Sequence, residues 1–201
     1  MITETILSFF FTGDALGQCL YPAAAPYAYL EPSFASAAFF LFFKLLRFND
    51  FWAYYGFLVS IFALNASAAF VLARQYLGQV WPAVFTALAF AASSFAFGNI
   101  ENQNTLAYFP ALTCIYHFRE YLLNRQTGNL LVAMLTGGLQ IYFGTYTFIF
   151  QSMVLLIIGL LHYREVFFAN AWVKVLLALP LYGLLALPYI LVYLINPELG
   201  E

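Results

Sequence analysis

Charge is what this sequence has least of. Only 8% of its 201 residues are Asp, Glu, Lys or Arg, where a soluble domain carries roughly 25%. The seven basic residues are scattered and the net charge is −2, so there is no basic patch for a phosphate backbone and no nucleic-acid partner is expected. Cysteine is limited to Cys19 and Cys114, at no metal-ligand spacing. Both read as small apolar residues, one in an external loop and one inside a span, with no disulfide between them. The only histidines, His117 and His162, fall toward the ends of apolar runs and read as interfacial residues. No Ser/His/Asp arrangement, Gly-rich phosphate loop or metal motif is present, so no cofactor and no metal site is expected. The N-terminus is not a signal peptide: it has Glu4, no Lys or Arg, and only the short apolar run from Ile6 to Phe11.

What the sequence has in abundance is apolar length. Hydrophobic residues make up 64% of the chain and aromatics 21%. Segments 51–73, 75–100, 102–118, 126–163 and 175–197 carry no charge. A bilayer core about 30 Å thick needs roughly 20 apolar residues per helix, and these runs meet that length repeatedly. The expected fold is all-α, a polytopic transmembrane helical bundle over 51–201, with an external loop over 1–50 bearing short interfacial helices. The expected location is the cell membrane, crossed several times, with membrane lipid as the first partner.

Local signals set the expected elements. Residues 1–12 place Ile2, Ile6, Phe9 and Phe10 at helical spacing, which predicts a short amphipathic helix on the membrane surface. Gly13, Gly17, Pro22, Pro26 and Pro32 make 13–32 a loop. Ser33 is a fair N-cap for a short helix over 33–48, closed by Lys44 and Arg47. Long helices are expected at 51–73, 81–97, 105–123 (bent near Pro110), 146–162 and 171–195 (kinked at Pro180 and Pro188), with a further short helix at 129–143 and a break at Gly144-Thr145. Placing Arg74 inside puts Arg119, Arg125, Arg164 and Lys174 inside too, five of the seven basic residues. Lys44 and Arg47 dissent, which predicts that the 33–48 helix dips into the outer leaflet without crossing. Asn65, alone among small residues in mid-span, is expected to bond a neighbouring helix.

The same orientation gathers acids and amides on the outer face. Asp14 and Glu31 come from the first loop, Asn99, Glu101, Asn102, Gln103 and Asn104 from a polar loop, and Gln140, Tyr142, Thr145 and Tyr146 from the helix break. A carboxylate there can serve as general base toward an acceptor hydroxyl, or hold a divalent cation on phosphate oxygens, although no motif marks such an ion. Asp14 and Glu101 are the candidate catalytic residues. Glu31, Asn99, Asn102, Gln103, Gln140 and Thr145 are the candidate substrate-binding ones, and one external cavity holding Asp14, Glu31, Glu101 and Asn102, with the break at its wall, is the expected site. Wet loops are polar for solubility alone, and that reading stands beside the functional one.

One succession of segments resembles a known family. A span ends in Val71-Leu72-Ala73-Arg74-Gln75-Tyr76-Leu77-Gly78, and the next begins Trp81-Pro82-Ala83 and carries Ala89-Phe90-Ala91-Ala92-Ser93-Ser94-Phe95. A polar loop, a span with Phe109-Pro110 ending in Arg119-Glu120, a short helix and the break Phe143-Gly144-Thr145 follow. With Thr12-Gly13-Asp14 and the Pro- and Tyr-rich stretch 21–32, this resembles the YfhO-type bacterial multi-span membrane proteins, within the wider class of GT-C-fold glycosyltransferases. The resemblance covers about residues 10–165 and rests on order and small-residue texture. It implies a transferase moving a sugar from a polyprenyl-phosphate donor to an acceptor on the outer face, with the lipid-linked sugar as partner and the catalytic acid in the first external loop. That loop follows a first span in the family, and none precedes it here, so the expectation is a piece lacking the first transmembrane helix and the C-terminal part. The family's His and Gly in the loop that here reads 99–104 are absent. The alternative is a non-catalytic multi-span protein, a transporter half or an assembly subunit.

Overall fold

The structure, a computed structural model, describes residues 34–93, 106–164 and 171–195. Among them the secondary structure is helical throughout: α1 (Phe34–Leu45), α2 (Asp50–Leu77), α3 (Val80–Ala91), α4 (Phe109–Asn124), α5 (Thr127–Leu139), a 3₁₀ turn (Gln140–Tyr142), α6 (Thr145–Leu161) and α7 (Ala171–Ile195).

The long helix α2 has well-formed ends. The side chain of Asn49 caps it by accepting the N–H of Trp52 at 3.0 Å, which satisfies one of the donors a helix start leaves orphaned. Gly78 closes it at φ 68, a left-handed conformation that glycine adopts without strain, and returns its N–H to the Arg74 carbonyl. Ala53, Phe57, Ile61, Asn65 and Ala69 are buried. These lie four apart, so they form one stripe facing the other helices. Ala83, Ala87 and Ala91 form the matching stripe on α3, and residues this small let α2 and α3 approach closely after the turn at Gly78-Gln79.

Contacts fix the directions of the remaining helices. Asn65 meets the start of α4 and Gln75 meets Glu120, so α4 runs parallel to α2. Helix α5 returns along α4, bringing Gln140 to Ala111. Helix α6 folds back from the turn at Gln140–Tyr142, so that Gln151 lies against Cys114 and Leu155 and Ile158 pack on the core of Cys114, Phe118, Tyr121 and Met134. Helix α7 rises beside α5, with Tyr182 next to Gly137 and Leu185 next to Gly138. Helix α1 runs antiparallel to the first half of α2: Phe43 lies on Gly56, and Phe39 meets Phe109 and Phe143. One end of the bundle therefore gathers Arg74, Arg119, Arg125, Arg164 and Lys174, and the other holds Lys44 and Arg47.

Several expected elements are corrected. The helix expected over 81–97 ends at Ala91. The helix expected over 105–123 starts at Phe109, so Pro110 sits in its first turn, where its missing N–H costs nothing and no bend is needed. Arg74 lies in the last turn of α2 instead of ending it at 73. The short helix expected over 129–143 is α5 plus the 3₁₀ turn. Helices α6 and α7 match their expected positions within a residue. The amphipathic helix over 1–12, the loop 13–32 and the cap at Ser33 lie outside the described residues.

The outside of the bundle is apolar. Trp81 (74% exposed), Phe85 (70%), Leu161 (76%) and Leu177 (75%) stand on three different helices. Among the described residues, α2 alone is long and apolar enough to cross a membrane, with a mean hydropathy of 2.0, and only 28% of that stretch is buried. Val80–Ala91 and Thr145–Leu161 are apolar but shorter.

Candidate functional site

Two side-chain amides organise the centre of the bundle. A helix start leaves the N–H groups of its cap and first three residues without partners inside the helix. At α4 these belong to Tyr108, Phe109, Pro110 and Ala111. Asn65 Oδ1 accepts both Tyr108 N–H (2.9 Å) and Phe109 N–H (2.8 Å). Pro110 has no N–H. Gln140 Oε1 accepts Ala111 N–H at 3.0 Å. The nitrogen ends of the same amides donate to the two carbonyls before the helix: Asn65 Nδ2 to Leu106 O (2.6 Å) and Gln140 Nε2 to Ala107 O (3.0 Å). Every orphan donor of this helix start is thus accounted for, by residues on two other elements.

The position of this junction is unusual. A 28-residue helix is about 42 Å long, and Asn65 lies near its middle. Helix α4 therefore starts half-way along α2, and Phe90 of α3 meets Tyr108 at the same level. The break between α5 and α6 lies there as well: Phe143 packs on Phe109, and Phe143 and Gly144 are buried. Non-helical backbone so far from either end needs internal partners wherever water is absent, and Asn65 and Gln140 supply them.

This settles the place of two expected site residues. Gln140 is fully buried, and both ends of its amide are engaged by backbone. Its amide fastens the start of α4 to the turn after α5. Thr145 is the first residue of α6 and half-buried. At the helix break Phe143 and Gly144 are buried, while Tyr146 is exposed. Asp14, Glu31, Asn99, Glu101, Asn102 and Gln103, and with them the proposed shared cavity, lie outside the described residues. Among the described residues no group of three or more His, Cys, Asp or Glu could hold a metal ion.

A third buried amide escaped the sequence reading. Gln151, on α6, donates from Nε2 to Tyr182 Oη (3.3 Å), and Tyr182 Oη in turn lies 2.8 Å from Ser152 Oγ. Its Oε1 is buried with no hydrogen-bond partner. Gln151 carried the same signal as Asn65, a lone amide in an apolar run. Nearby, Tyr142 Oη donates to the Leu185 carbonyl of α7 at 2.6 Å.

The basic end has its own network. Glu120 accepts from Gln75 and from Asn124 Nδ2 (2.6 Å), and the Arg119 guanidinium lies over the Tyr76 ring, 4.4 Å from its centroid. His117 Nδ1 pairs with Asn129 Oδ1 at 2.9 Å. Because Asn129 Nδ2 is turned toward Gln126 Oε1, the imidazole is the donor in that pair.

No family model, curated protein or solved structure matches this chain. The resemblance to the YfhO-type proteins therefore rests on the residues that carry it.

Proposed function

We propose that this chain is a multi-span integral membrane protein of the cell membrane, and that it belongs to a glycosyltransferase moving a sugar from a polyprenyl-phosphate donor to an acceptor on the outer face. The observation that carries the membrane reading is the uncovered apolar belt. Large hydrophobic side chains stand exposed on every described helix, where a soluble monomer rarely exposes large contiguous apolar patches, while the polar backbone groups at the start of α4 are bonded inside. Lipid tails are the solvent that such an arrangement suits.

The transferase reading is supported by how the interior amides are used. A transporter made of discontinuous helices leaves their ends free for substrate and ions. Here the start of α4 is occupied by Asn65 and Gln140, which leaves no donor there for a substrate. Polar chemistry is then left to the outer segments containing Asp14, Glu31 and the 98–104 residues. In that reading Asp14 or Glu101 takes the proton of the acceptor hydroxyl, and neighbouring amides hold the donor's phosphate.

The test is sugar transfer by membranes containing the protein, with a radiolabelled polyprenyl-phosphate sugar as donor. Asp14→Asn or Glu101→Gln should lower the rate by a factor of about 10² to 10⁴ if that carboxylate is the base. Full activity in both, with the protein still folded, would assign the chemistry to other residues. No transfer by the unaltered protein would favour the non-catalytic alternative, a transporter half or assembly subunit.

A further inference from the structure

Between α2 and α4, on the outside of the bundle, runs a two-part groove. Its inner section, about 280 Å³, is lined by residues that include Leu64, Ala68, Val71, Phe109 and Thr113. Its outer section, about 340 Å³, is lined by Phe70, Val71, Arg74, Gln75 and Tyr116. Val71 and Tyr116 belong to both, so the sections are continuous. The groove runs from the level of the buried junction to the basic end, mostly apolar within, with Ser67, Thr113 and His117 also on its walls, and polar at its mouth.

Arg74 sets the character of that mouth. It is exposed, and its guanidinium makes no hydrogen bond or ion pair among the described residues. Of the neighbouring charged groups, Arg119 lies on Tyr76 and Glu120 accepts from Gln75 and Asn124, while Gln75 Oε1 has no hydrogen-bond partner among the described residues. A cation with no partner among the described residues, at the mouth of a mostly apolar interhelical groove, complements one kind of membrane molecule, an anion with a hydrocarbon tail.

We propose that this groove is a binding site for one anionic phospholipid, with the phosphodiester on Arg74 and an acyl chain along Val71, Ala68 and Leu64. The inference rests on the membrane reading and is independent of the transferase reading. A headgroup phosphate gains a charge-assisted pairing with a guanidinium, and the chain covers apolar side chains at a concave surface that flat lipid packing fills poorly.

The test uses the full chain in nanodiscs of phosphatidylcholine doped with phosphatidylglycerol, followed by release into the gas phase and counting of retained lipids by native mass spectrometry. The unaltered protein should retain one phosphatidylglycerol in preference to phosphatidylcholine. Arg74→Gln, a change at an exposed position, should lower that preference about fivefold, the effect expected of one basic residue at an anionic surface. Ser67→Phe, placed at the exposed rim of the inner section, should displace the lipid whatever its headgroup. Lys174→Gln, at the same end but outside the groove, should change nothing. Equal loss in Arg74→Gln and Lys174→Gln would mean diffuse charge attraction and would overturn the site, as would an unaltered preference in Arg74→Gln. Recovery of the protein in the aqueous fraction after alkaline carbonate extraction would instead overturn the membrane reading beneath it.

Discussion

Asn65 Oδ1 lies 2.8 Å from the backbone nitrogen of Phe109, forty-four positions along the chain. The amide of one helix thereby caps the start of another, in the middle of the bundle. With Gln140 on the other side, it converts a break in the helical backbone into a closed set of hydrogen bonds. The two side chains act on one short stretch, from Leu106 to Ala111, and should be energetically coupled.

Asn65→Leu keeps the volume approximately but strips two N–H groups and one carbonyl of their partners. A buried polar group left unsatisfied costs about 1–3 kcal/mol, so a loss of about 2–4 kcal/mol is expected after local relaxation. Gln140→Leu should behave similarly. Unfolding of the detergent-solubilised protein in a denaturant series measures each. The double variant should lose less than the sum, because the second change acts on a helix start that the first has already loosened.

Gln151→Met is predicted to have the opposite character. Gln151 is as buried as Asn65, but its Oε1 has no partner, and Tyr182 keeps Ser152 after the change. Removing a buried polar atom that is already unmatched is neutral or stabilising. The same denaturant series should show a midpoint equal to or above that of the unaltered protein, and a large drop would mean that Gln151 has a partner in solution.

The glycines of α5 set its distance from α7. A Cβ on Gly138 would stand 2.8 Å from Leu185 Cβ and 3.2 Å from the backbone oxygen of Tyr182. Neither atom is the free end of a flexible side chain, so Gly138→Ala should force the helices apart and cost about 1–3 kcal/mol. At Gly159 and Gly183 a Cβ meets nothing within 4 Å, so alanine there should leave stability unchanged or raise it, by up to about 1 kcal/mol, through better helix propensity. Thermal melting of the three variants in one detergent separates the two classes.

The helices were legible because an apolar run announces its own length. Even so, the ends of α3 and α4 were misplaced. Past Ala91 the chain stays uncharged, and Ser93-Ser94 is followed by more apolar residues, so no strong breaker marks the stop; Pro110 reads equally as a mid-helix kink or a first-turn residue. What decided it was Asn65, far away in sequence, holding the N–H groups of Tyr108 and Phe109. The partners of Gln140 were hidden for the same reason: a polar residue beside a break looks like a site, and the backbone atoms it fastens come from another element. Asn65 was read correctly because a single amide among alanines has few uses other than bonding a neighbour. Gln151 sat in an equally apolar stretch and carried the same signal, and its partners Tyr182 and Cys114 likewise come from other helices.

In the proposed topology α2 crosses the membrane and the basic ends of the helices lie together on one side. Single cysteines on a background of Cys19→Ser and Cys114→Ala test it directly, at Arg47 and Gln79, which flank α2, and at Gln126 in the α4–α5 turn. In intact cells a membrane-impermeant maleimide should label the position-47 variant alone, and positions 79 and 126 should react together only after the membrane is opened. Labelling of positions 47 and 79 from the same side in intact cells would contradict the account.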